Sequence, residues 1–155
     1  MEKSICSALT GGDRVEIIIV DDGSSDNTLQ IAKKYEEKFP NIVRVIHQEN
    51  GGHGEAVNTG IKNATGLYFK VVDSDDCLGR KALEKVLNLL EEMVAKDAGL
   101  DMLVSNFMYD KQGAQEDYEI QKCHDTRQNA WLGRYSFWKN TVFANAFSYL
   151  QNKDS

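Results

Sequence analysis

Apolar and polar positions alternate in blocks along the first two thirds of the chain. Residues 15–20 (Val-Glu-Ile-Ile-Ile-Val) form a β-branched run interrupted only by Glu16, the pattern of a buried strand. Asp26 and Asn27 can cap a helix over 28–38, with Leu29, Ile31, Ala32 and Tyr35 on or near one face. Pro40 stops it. A second strand is predicted at 42–47, then a glycine-rich loop (Asn50-Gly51-Gly52-His53-Gly54) and a helix over 55–63 that ends before Gly66. Residues 67–72 read as a third strand. The next helix, 79–96, carries Leu83, Val86, Leu87, Leu90 and Val94 as one apolar stripe, and 100–107 read as a fourth strand. Strand and helix alternating at this rhythm predict an α/β fold with a mostly parallel, doubly wound sheet.

The two ends break the rhythm. Residues 2–9 resemble the last turns of an amphipathic helix, with no strand before them. Beyond about Gln112 the periodicity fades, and Trp131, Tyr135, Phe137 and Trp138 stand among polar residues without a clear two- or 3.6-residue repeat. Such aromatics can form a stacking platform for nucleic acid. The net charge of −6 and the lack of a Lys/Arg-rich block argue instead for a core patch or an ill-packed tail, and no nucleic-acid partner is expected.

A length of 155 residues suits one domain. Hydrophobic content of 41% and charged content of 27% are those of a globular protein in water. The three cysteines, Cys6, Cys77 and Cys123, lack a CxxC spacing, so neither a disulfide framework nor a zinc site is expected and a reducing cytoplasm fits. Neither a signal-peptide pattern nor an apolar run near the roughly 20 residues of a membrane span is visible.

The candidate chemistry lies where strands end. Residues 68–76 (Tyr-Phe-Lys-Val-Val-Asp-Ser-Asp-Asp) run from an apolar strand into Asp73, Asp75 and Asp76. Carboxylates gathered at a strand end repel one another, and a divalent cation with oxygen ligands is the usual compensation. The plainer alternative is a turn, since Asp-Ser-Asp-Asp is also good loop chemistry. The first strand likewise ends in acids, Asp21-Asp22-Gly23-Ser24-Ser25-Asp26. Two such strands would place both clusters on one carboxyl edge, where α/β sheets bind ligands.

Three ordered segments carry a family resemblance: residues 15–28, ending in Asp21-Asp22-Gly23-Ser24-Ser25-Asp26-Asn27-Thr28; residues 50–61, Asn50 to Ile61; and Asp73-Ser74-Asp75-Asp76. They resemble the second strand and loop, the next loop and helix, and the DxD motif of family 2 glycosyltransferases. The resemblance implies a Rossmann-like GT-A nucleotide-sugar-binding fold over about 1–110, with 111–155 an irregular tail lacking a recognisable acceptor-binding motif. It implies transfer of a sugar from a nucleotide-diphospho-sugar, with a UDP-linked donor expected, to a carbohydrate or lipid-linked acceptor hydroxyl, with inversion. Mg²⁺ or Mn²⁺ would be held by Asp75, with Asp73 beside the ribose or in the metal's water shell and Asp76 a weaker second candidate. Asp22 resembles the acid that accepts a hydrogen bond from the base, and Asp21 supports that loop. His53 partly replaces a cation that relatives carry near the diphosphate, and Val57 cannot. Cys77 is expected to pack. Relatives build surface polysaccharides and glycolipids, so a cytoplasmic or membrane-peripheral location is expected.

Two parts of the family pattern are not recognisable: a first strand central to the sheet, and a catalytic Asp in an acidic pair beyond the fourth strand. Asp110, Glu116, Asp117 and Asp125 are available acids, none in a convincing match. The expectation is a domain incomplete at both ends, with a catalytically inactive fragment as one alternative. Unpaired strand edges would then make it a poorly stable monomer or a homo-oligomer that covers them. A second alternative is a haloacid-dehalogenase-like phosphatase with Asp73 as nucleophile. In that family Thr or Val usually stands at the place of Cys77, and the motif begins the fold.

Overall fold

The computed structural model describes residues 1–105 and the strand 141–145. The chain opens with helix α1 (Glu2–Ala8) and a 3₁₀ segment (Leu9–Arg14). Strand β1 (Ile17–Asp22), helix α2 (Thr28–Lys38), strand β2 (Val43–Gln48) and helix α3 (His53–Asn63) follow. Strand β3 (Tyr68–Phe69), helix α4 (Arg80–Ala95), strand β4 (Met102–Ser105) and strand β5 (Thr141–Asn145) complete the described residues. The α/β expectation holds.

β1 and β2 are parallel, in register from Ile17 opposite Val43 to Asp22 opposite Gln48. Helix α2, tied at its start by the Thr28 N–H donating to Asp26 Oδ1 at 2.9 Å, returns the chain to begin β2. It also shields β2, because Glu36 Oε1 accepts the Val45 N–H at 2.7 Å. Helix α3 packs on β1, where a Cβ on Gly60 would lie 3.7 Å from Val20. Glu16, the polar break in the first run, secures the amino end of β1. It accepts from the N–H and hydroxyl of Thr65 at 2.8 and 3.0 Å and pairs with Arg44 at 3.3 Å. Arg44 also donates to the Asn63 carbonyl.

Four expectations change. β1 runs two residues further than predicted, so Asp21 and Asp22 lie inside the strand, because pairing with β2 continues to Gln48. His53 is the first residue of α3 rather than part of a loop. The third strand is only Tyr68–Phe69, because β5 faces it through Asn145 and Ala144 alone. It belongs to a separate antiparallel sheet of order β3-β5-β4, not to the parallel pair. β5 itself falls in the stretch without periodicity. The end of the predicted fourth strand, 106–107, and the aromatic cluster at 131–138 lie outside the described residues.

Among the described residues few apolar side chains are buried: Ile5, Ala32, Val43, Ile61, Leu83 and Leu90. Ile17–Val20 are only half-buried. The reason is geometric. Among the described residues β1 pairs on one edge only, and a cleft of roughly 1260 Å³ lies between β1 and residues 66–75, walled by α1, α3 and α4. Leu67, Val71 and Val94 line it and remain well exposed.

Candidate functional site

The two acids at the end of β1 have different surroundings, because successive strand residues point to opposite faces. Asp22 accepts three N–H donors, each at 2.8 Å. Gln48 Nε2 and the Gly51 N–H reach Oδ1, and the Gly52 N–H reaches Oδ2. Hydrogen bonds to an ionised acceptor are the stronger kind. The Gly51 N–H, the Gln48 amide and the Gly52 N–H hold the Asp22 carboxyl below its ordinary value. Asp22 therefore anchors the glycine-rich loop. Gly52 adopts φ 84°, ψ 166°, which only glycine takes readily, and α3 starts one residue later.

Gly23 makes the other half of this junction. Its φ is +71°, and a Cβ there would stand 2.9 Å from the Asn50 backbone nitrogen. Gly23→Ala is expected to cost about 2 kcal/mol, from the left-handed backbone and the displaced loop. A urea titration showing an unchanged midpoint would refute this.

Asp21 is buried, its side chain 0% exposed, and its Oδ2 lies 2.7 Å from His47 Nδ1. Burial pushes its carboxyl up, but the Ser24 hydroxyl, His47 and the Ser24 N–H outweigh burial and hold it below its ordinary value. No hydrogen bond of normal geometry reaches the buried Asp21 Oδ1 among the described residues. Asp21 meets Ser24 of the loop that follows β1, while Asp22 holds the glycine-rich loop that follows β2.

Asp21, Asp22 and Asp26, the last lowered by the Thr28 hydroxyl and N–H, all titrate below the ordinary 3.8 in the folded chain. The unfolded chain takes up protons first. Their stabilisation is therefore complete well above pH 3.8 and is lost as pH falls through the lowered folded values. The urea midpoint should drop between pH 6 and pH 3. The triple Asn variant at these positions should lose most of that dependence.

The second acid cluster is a turn held by α1. The Asp76 N–H donates to the Asp73 carbonyl at 3.1 Å, and the Ser4 hydroxyl reaches the same oxygen at 3.3 Å. The Leu78 N–H donates to Ser7 Oγ at 2.9 Å. The carboxylates of Asp73, Asp75 and Asp76 are exposed. Burial pulls the neighbouring Lys70 ammonium below its ordinary value, opposed by the charges of Asp76 and Asp73. Among the described residues no three acids, histidines or cysteines converge as a ready metal cage. Magnesium, however, is usually held by one or two carboxylates with water and substrate phosphates, a donor set that Asp73 and Asp75 would fit. Cys77 is exposed on this turn rather than packed, since the irregular 73–79 segment offers no core position.

Asp21, Asp22, His53, Asp73 and Asp75 all line the one cleft. Val57 lines it too, without a charge to offer. His47 and Gln48 were not legible as site residues, because their contacts follow from the β1–β2 register. Asp110, Glu116, Asp117 and Asp125 lie outside the described residues.

A parallel strand pair whose carboxyl end, glycine loop and helix start meet a second acidic turn across a cleft defines an α/β ligand-binding domain. The chain matches Glycosyl transferase family 2 over residues 1–144 and belongs to that family. It is 53% identical over 76 residues to the Uncharacterized glycosyltransferase YibD of Escherichia coli (strain K12), covering 49% of this chain and 21% of that protein. It is 36% identical over 90 residues to the Minor teichoic acid biosynthesis protein GgaB of Bacillus subtilis (strain 168), covering 58% and 10%. It is 43% identical over 94 residues to the Glycosyltransferase GlyG of Streptococcus pneumoniae serotype 4, covering 60% and 29%. The matched region is thus under a third of the length of each of these relatives. With a glycosyl transferase family established, the phosphatase reading of Asp73 is set aside. Among the described residues no helix is long and apolar enough to cross a membrane.

Proposed function

We propose that this chain binds a nucleotide-diphospho-sugar, with UDP the nucleotide, together with Mg²⁺ or Mn²⁺ in the cleft between β1 and residues 66–75. The protein containing it transfers the sugar with inversion to a carbohydrate or lipid-linked acceptor hydroxyl, in the cytoplasm or at the inner face of a membrane. One observation carries this reading: acids from two distant segments, Asp21 and Asp22 with Asp73 and Asp75, line a single cleft. Asp22, an acceptor that lines the cleft, would take an N–H of the base. Asp75 and Asp73 would hold the cation. When bound, a divalent cation supplies positive charge against the diphosphate leaving group. The start of α3, with His53, offers N–H groups and a polar ring toward phosphate oxygens. The name of GgaB, a teichoic acid biosynthesis protein, supports a role in surface-polymer synthesis.

The test is calorimetric titration of the purified chain with UDP, GDP and CDP, each with and without Mn²⁺. Metal-dependent binding of at least one is expected. No binding of any of them would end the reading.

A further inference from the structure

The last residues of β1 and β2 stand opposite each other, Asp22 against Gln48, and the amide of Gln48 is the one side chain among the described residues that donates to Asp22. A carboxylate offers about four lone-pair directions. Three are used here: two at Oδ1, by Gln48 and Gly51, and one at Oδ2, by Gly52. The two donors on Oδ1 come from different directions, one from the sheet and one from the loop, so the carboxylate plane cannot rotate without losing one. The remaining direction belongs to Oδ2, and Asp22 lines the cleft.

We propose that Gln48 is a positioning residue for donor specificity: it fixes the carboxylate plane of Asp22 so that the open side of Oδ2 meets an N–H of the bound nucleobase. The proposal rests on the nucleotide-sugar reading and adds a residue to it. The two glycine N–H donors hold the carboxylate to the loop between β2 and α3. Gln48 ties the same group to β2 itself, so the carboxylate is fixed from the sheet as well as from the loop. Loss of this tie costs base recognition and leaves the phosphate and metal contacts in place.

A base-free probe separates the two. Gln48→Leu and Gln48→Glu are titrated with inorganic pyrophosphate and with the tightest of UDP, GDP and CDP, all with Mn²⁺, after circular dichroism has checked the fold. Gln48→Glu keeps the length of the side chain but has no N–H to give. The expected result is a loss of about tenfold in nucleoside diphosphate affinity in both variants. Pyrophosphate affinity should stay that of the parent chain. Equal losses for both probes, or no loss for either, would overturn the positioning role while the parent's nucleotide binding stands. A parent chain that binds pyrophosphate but no nucleoside diphosphate would overturn the base contact and the donor reading together.

Discussion

Asp75→Asn is expected to weaken Mn²⁺-dependent nucleoside diphosphate binding by about 100-fold, whereas the neighbouring Ser74→Ala should change it little. A carboxylate supplies charge to a hard cation, and an amide of the same shape supplies only a dipole. The acidic turn is already folded without a cation, since the Asp73 carbonyl takes the Asp76 N–H and the Ser4 hydroxyl. The substitution therefore leaves the backbone of the site intact, and the loss should appear in binding and not in stability. Calorimetry with and without Mn²⁺ measures the effect directly. Equal, small effects of the two substitutions would mean that the acids serve the turn alone.

Ile61→Ala should have the largest effect on stability, about 2–4 kcal/mol. Ile61 is 7% exposed on α3, which packs against β1, and only a handful of apolar side chains are buried in the described residues. Against a total of about 5–15 kcal/mol for a typical domain, that loss is severe. The adjacent Lys62→Ala removes a solvent-exposed 3.7 Å pair with Glu55 and should cost no more than about 0.5 kcal/mol. Urea unfolding of the two variants should differ accordingly. A midpoint for Ile61→Ala as high as that for Lys62→Ala would mean that α3 is not part of the stabilising core.

Much of the fold was legible residue by residue. The β-branched run before Asp21, Asp26 ahead of Thr28 and Pro40 just past Lys38 each act through neighbours a few positions away; α2 appears where it is expected, and β1 appears two residues further along. The α4 stripe is only partly realised. Leu83 and Leu90 are buried, but Val94 is 48% exposed because it borders the cleft. β5 was invisible for the opposite reason. Thr-Val-Phe-Ala-Asn has no long alternation of its own, and it is a strand because β3 and β4 pair with it from either side.

By itself the sequence determined the kind of each main element as far as β4 and the family, and it marked two acidic clusters as candidate places for chemistry. These follow from local forces: side-chain periodicity, capping, and the cost of gathering carboxylates. The tertiary structure alone decided which acid does what. A shift of one residue in the β1–β2 pairing would turn every side chain to the other face. The observed register sets the buried Asp21 against the half-exposed His47, and Asp22 against Gln48 beside the glycine loop. Two adjacent aspartates of identical chemistry thus acquire different partners, because partners across a sheet are chosen by long-range pairing that no local pattern records.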